Sequence, residues 1–188
     1  MSPERETLYT GLSHAAWGYF FLNFDVNFGT VSVIPRFVGF LLLLSAIGKL
    51  SGERRDLALL RPLGWLLAGW SGLDWLLSWG GGGAGGHILF LDLLVSAARL
   101  YFEFQLLTDL AAIAETYQPE GSDLDRRIRR HRTEDMVLVT LLSLLVFLPQ
   151  AEWRDWLVLA LAVLVCVVSL MIMWNLFQLR RCFREEAA

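Results

Sequence analysis

Residues 156–179 read WLVLALAVLVCVVSLMIMWNLFQL, 24 positions from Trp156 to Leu179 without one charged side chain. At about 1.5 Å per residue, a helix of that length reaches roughly 36 Å and exceeds the hydrocarbon thickness of a bilayer. The stretch therefore reads as a transmembrane helix. Just before it, residues 136–151 are also charge-free but shorter, and Pro149 with Gln150 marks a tight turn that joins the two as a helical hairpin.

The same reading extends towards the N-terminus. Residues 87–115 predict one long helix and residues 57–79 another, while the run GGGGAGG at 80–86 cannot continue either cheaply and reads as a loop outside the hydrocarbon. Residues 31–50 carry Pro35 and Arg36 near the start and Lys49 at the end, leaving a charge-free stretch that snorkelling side chains can extend. Residues 7–24 are charge-free for 18 positions, enough to cross, yet hold His14 and Asn23 and would also suit an interfacial helix. The expected fold is an all-α, polytopic transmembrane bundle of six spans in three helical hairpins, or five spans if residues 7–24 lie in the interface. Residues 1–188 then form one transmembrane domain, with a cytoplasmic polar loop at residues 116–135.

Composition agrees. With 55% hydrophobic residues and a mean hydropathy of +0.49, the 188-residue chain is too apolar for an ordinary soluble domain. The net charge of -3 says less than the placement of the 16 Lys and Arg. Six spans with both termini inside leave only Arg36 and Arg154 outside and Arg99 within a span, which puts all the others on the cytoplasmic side. The C-terminus is cytoplasmic for either span count. Trp75, Trp79, Trp153 and Trp156 fall at the outer boundary as an aromatic belt. The basic run Arg126, Arg127, Arg129, Arg130 and Arg132 lies between apolar segments, where a positive-inside signal and an anionic-lipid contact are expected and nucleic-acid binding is not. Residues 1–6 show no cleavable signal, so the first apolar segment is expected to be retained. Cys166 and Cys182 stand about 24 Å apart along a helix, too far for a disulfide.

Ionisable groups within spans cost roughly 2.5 to 3.5 kcal/mol each, so each invites a functional reading. Asp92, Ser96, Arg99 and Glu103 follow i, i+4, i+7, i+11 spacing and share one helical face, expected to point into the bundle. They are the candidate ligand-binding or proton-coupling residues, although an internal Arg99–Glu103 ion pair that only fixes helix packing explains the same pattern. Asp25, Asp74 and His87, with Asp92, gather towards the outer side as a vestibule that attracts cations. Whether they hold a metal ion stays open, because no pair has the tight spacing of a metal motif and boundary residues in contact with water read the same way. Between the first two apolar segments, residues 23–29 alternate Asx with apolar side chains, as a capping turn or a polar re-entry would.

Gly69-Trp70-Ser71-Gly72 matches the nucleophile pattern of rhomboid serine proteases, but only His87 and His131 follow it, one at a helix start and one in the basic loop. Small residues at 64, 68, 69, 71 and 72 let helices approach closely instead. No zinc-protease, phosphate-loop or phosphorylation motif is present, so no enzyme activity and no cofactor is expected.

Ile34-Pro35-Arg36-Phe37-Val38-Gly39-Phe40, preceded by residues 23–29 and followed by an apolar run to Gly48-Lys49-Leu50, resembles a group of small, uncharacterised polytopic bacterial membrane proteins with a hydrophobic-Pro-x-Phe-x-Gly segment. The resemblance covers the first third of the chain and departs at Arg36, where an acidic residue would be expected. It implies a bacterial inner-membrane setting and carries no activity. The expected function is transport or binding of a small polar or cationic solute through the Asp92 to Glu103 face. The alternative is a non-catalytic assembly or regulatory subunit, with another membrane protein or a second copy as partner.

Overall fold

The computed structural model describes residues 3–24, 27–28, 31–32, 35–79, 89–145, 148–149 and 151–185. Among the described residues the fold is all-α apart from one minimal hairpin: α1 (Pro3–Asn23), β1 (Asn27–Phe28), β2 (Val31–Ser32), α2 (Arg36–Leu50), α3 (Arg55–Leu59), α4 (Arg61–Ser78), α5 (Leu89–Tyr117), α6 (Leu124–Leu144) and α7 (Glu152–Glu185). The strands pair antiparallel, Asn27 with Ser32 and Phe28 with Val31.

Local chemistry sets the boundaries. Pro35 is extended, at φ -71° and ψ 124°, and turns the chain into α2, whose last turn carries Lys49 against the helix dipole. The single helix expected over residues 57–79 is broken at Leu60, because Pro62 offers no N–H and is accommodated in the first turn of α4. Gly121 adopts φ +83°, a left-handed conformation that glycine takes without strain, and reverses the chain between α5 and α6. The polar connection is therefore shorter than expected: from Leu124 onwards the basic run is helical and forms the first half of α6, with Leu124, Ile128 and Asp135 on its buried face.

A reciprocal clamp closes this turn. Gln118 Nε2 donates to Asp125 Oδ1 at 2.9 Å, and the Asp125 amide donates to Gln118 Oε1 at 3.1 Å. The Gln118 amide holds the Asp125 carboxyl below its ordinary value. Gln118→Ala should cost about 1 kcal/mol near neutral pH. A depressed folded-state value means that the carboxylate's share of this stability is fully present above the unfolded value, about 3.9, and disappears as pH falls through the folded value. Thermal unfolding of both chains across that range checks it; equal differences at all pH values would refute the carboxylate's part.

The helices follow one another around the bundle. α2 lies against α1 and α4, α6 against α5 and α7, α7 also meets α1, and α4 touches α5 more lightly. His14 Nδ1 and Ser45 Oγ, 2.9 Å apart, join α1 to α2. At one end Tyr117 donates to Glu53 and packs its ring 4.8 Å from that of Phe183, while Arg180 donates to Ser13. The same end holds Arg61 beside Gly48, and Arg129 paired with Glu115. The densest part of the core lies towards this basic end, around Leu12, Leu50, Leu57, Phe102, Leu110, Ile128 and Leu179. The opposite half leaves Leu73, Leu76, Leu94, Leu141, Leu144 and most of residues 153–167 exposed.

Among the described residues one helix, Trp153–Phe183, is long and apolar enough to cross a membrane, and only 17% of its most apolar stretch is buried. The other helices fall short of that standard for identifiable reasons. α2 has 15 residues, the first half of α6 is the basic run, and α5 carries acidic and basic groups along its length. Of the four tryptophans expected at the outer boundary, Trp79, Trp153 and Trp156 are exposed, whereas Trp75 is half-buried with its ring 5.6 Å from that of Phe37. Cys166 and Cys182 are free thiols, in keeping with their separation along α7.

Candidate functional site

Four helices place polar groups where the core excludes water. Tyr19 from α1, Glu103 from α5, Asp135 from α6 and Ser169 from α7 are each at most 2% exposed. Tyr19 Oη donates to Asp135 Oδ2 at 3.0 Å. Ser169 stands beside both groups, and among the described residues its Oγ is in no hydrogen bond of normal geometry and Asp135 Oδ1 is likewise buried without a donor.

Arg99 enters this cluster from α5. Its Nε donates to Glu103 Oε1 at 2.7 Å, and its Nη2 donates to the Leu22 carbonyl at 3.0 Å and to Asn23 Oδ1 at 3.2 Å. The guanidinium thus neutralises Glu103 and caps the C-terminal turn of α1, whose last carbonyls have no partner within the helix. Glu103 and Arg99 are both close enough to Asp135 to act on it electrostatically. With both carboxyls ionised, two negative charges share one positive charge. A proton or a small cation would balance such a cluster, since an uncompensated charge in such a place is expensive.

No family model, curated protein or solved structure matches the chain.

Of the residues singled out from sequence, Arg99 and Glu103 are brought together and turned inward. Asp92 is half-exposed and Ser96 is exposed, so the four do not form one buried face. The spacing is helical throughout, but at Asp92 and Ser96 α5 has passed beyond the dense half of the bundle. Asp25 and His87 lie outside the described residues, and Asp74 is half-buried on α4, so the vestibule is described only at Asp74 and Asp92. Among the described residues no group of three or more His, Cys, Asp or Glu side chains is arranged to hold a metal ion. Ser71 lies half-buried on α4, while His131 is on α6 with its Nδ1 2.8 Å from Glu134 Oε2.

Sequence reasoning passed over Tyr19, Asp135 and Ser169. A signal for Asp135 was available: Leu124, Ile128 and Asp135 follow i, i+4, i+11 spacing, so Asp135 continues an apolar stripe rather than the solvated basic one. Tyr19 and Ser169 stand alone in apolar runs, and nothing local distinguishes them from packing residues.

Proposed function

We propose that this chain is a multi-pass protein of the bacterial inner membrane, crossing it six times in three helical hairpins with both ends cytoplasmic. In this reading it binds or moves a small cationic solute or a proton through Glu103, Asp135, Arg99 and Tyr19. The carrying observation is the pair of buried carboxyls, on neighbouring helices, with one guanidinium paired to Glu103 and within electrostatic reach of Asp135. Intramembrane ionisable groups in that balance are the usual chemistry of proton relays and cation sites.

Two features support the membrane setting. Large apolar side chains are exposed on α4, α5, α6 and α7, a surface that lipid would cover and water would not tolerate. Antiparallel neighbours gather Arg61, Arg129 and Arg180 at one end, in the sense of the positive-inside rule. The 15 residues of α2 reach about 22 Å, which Arg36 and Lys49 at its ends extend by snorkelling. Asp92 lies about 16 Å along α5 from Glu103, on the approach from the other end, where an arriving cation is first met.

Liposomes holding the full chain and an internal pH-sensitive dye test the reading against a panel of monovalent and organic cations. The parent chain should show cation- or gradient-driven proton movement that Asp135→Asn abolishes and Arg126→Gln leaves unchanged. A parent chain that moves neither protons nor any cation of the panel overturns it. The second reading, a non-catalytic assembly or regulatory subunit, draws on the bare apolar surface of the outer half of α7. Co-purification in mild detergent favours it if a stoichiometric membrane partner appears and the isolated chain binds no solute.

A further inference from the structure

From the surface between α1 and α7 at the basic end, we infer that an anionic phospholipid seats its phosphate on Arg180 and Arg181 and its first acyl carbons on Trp17 and Trp174. This rests on the membrane reading given above and does not depend on solute transport. A cavity of about 290 Å³ opens there, lined by Trp17, Trp174, Phe177, Gln178, Arg180 and Arg181. That volume is at the small end for ligand sites and suits a headgroup with the start of its chains.

The lining is graded along the helix in the order an interfacial lipid requires. Arg181 lies about 10 Å beyond Trp174 along α7, so the cationic end and the aromatic wall are separated by roughly the depth of a headgroup. Below the wall, exposed Met171, Leu170 and Val167 continue the apolar surface into the stretch that spans. Trp17 closes the other side, with its ring 5.9 Å from Phe177.

Among the described residues the two guanidiniums are held without an acid. Arg180 donates to Ser13 Oγ at 3.3 Å and lies over the rings of Tyr9 and Phe177, with its buried Nε lacking an acceptor among the described residues. Arg181 stands 5.9 Å from the Trp174 ring. Among the described residues neither has a carboxylate partner, in contrast to Arg126 with Asp123, Arg129 with Glu115 and Arg130 with Glu134. An anion is therefore the missing partner at α7, whereas much of the α6 run already has one. The aromatic wall selects a lipid over a free phosphate.

Native mass spectrometry of the full chain released from mild detergent, titrated with dioleoyl phosphatidylglycerol, dioleoyl phosphatidylcholine or inorganic phosphate, tests the assignment. One tightly held phosphatidylglycerol is expected, with phosphatidylcholine and phosphate retained far more weakly. Arg181→Gln should weaken that adduct about fivefold, as losing one interfacial cation does. Trp174→Phe should weaken it less, and Arg126→Gln should leave it unchanged. Equal retention of phosphatidylcholine, or an adduct untouched by Arg181→Gln, overturns the site. Phosphate competing fully with the lipid overturns the lipid source, and a lipid-free dimer shows that a second copy covers the face instead. A chain that inserts into liposomes yet holds no phosphatidylglycerol defeats this inference alone; a chain that never inserts defeats the membrane reading with it.

Discussion

Arg99→Met is expected to lower stability by about 3 kcal/mol, the lower end of the range for breaking a buried ion pair by removing one partner. Glu103, 2% exposed, would be left as a buried acid without the Nε donor that meets it at 2.7 Å. The last turn of α1 would also lose the donor to Leu22 O and Asn23 Oδ1. The lower end applies because the Arg99 side chain retains 29% of its exposure, so water relieves part of the imbalance. Adding Glu103→Gln should recover much of the loss, since it removes the unpaired acid while keeping the side-chain shape. Thermal unfolding in detergent micelles followed by circular dichroism ranks the three chains. A double variant no more stable than Arg99→Met would mean that charge balance is not what Arg99 supplies, and that capping α1 is its whole contribution.

The Arg99–Glu103 pair was legible because its geometry is local: four positions on one helix bring the two groups together whatever surrounds them. Tyr19 and Asp135 are 116 positions apart, and their hydrogen bond depends on α1 and α6 both packing against α7. No periodicity within either segment contains that fact. Ser96 shows the converse limit, because a helical face defined by spacing faces inward only as far as neighbours surround it. The apolar character of α7 was plain from 24 uncharged positions, whereas the start of α6 was obscured by five arginines in a run that reads as loop and folds as helix. Arginine is a good helix former, and the turn at Gly121 together with Asp125 in the first helical turn outweighs the repulsion within the run.

Gly39→Ala should separate α1 from α2 and cost about 1–3 kcal/mol, as added volume in a close-packed contact does. A Cβ at Gly39 would lie 2.9 Å from the Gly18 carbonyl oxygen and 3.0 Å from the Leu22 amide nitrogen, both backbone atoms that no rotamer change can move. The facing Gly18 is equally tight, with its own Cβ position 2.8 Å from Leu43 and 3.0 Å from the Gly39 carbonyl. Small residues at such a crossing let helix backbones approach closely. The effect reaches the polar cluster, because Leu22 and Asn23 accept from Arg99 and Tyr19 reaches Asp135 from the same helix. Any shift of α1 away from its partners therefore strains those bonds as well. Gly69→Ala supplies the contrast: its Cβ would meet nothing within 4 Å, and the substitution should be neutral or stabilise by about 0.5–1 kcal/mol through helix propensity alone. Unfolding midpoints of the two variants in the same detergent decide the matter. A Gly39→Ala chain that matches its parent would show that the α1–α2 crossing has room to spare and that close backbone approach is not what fixes the cluster in place.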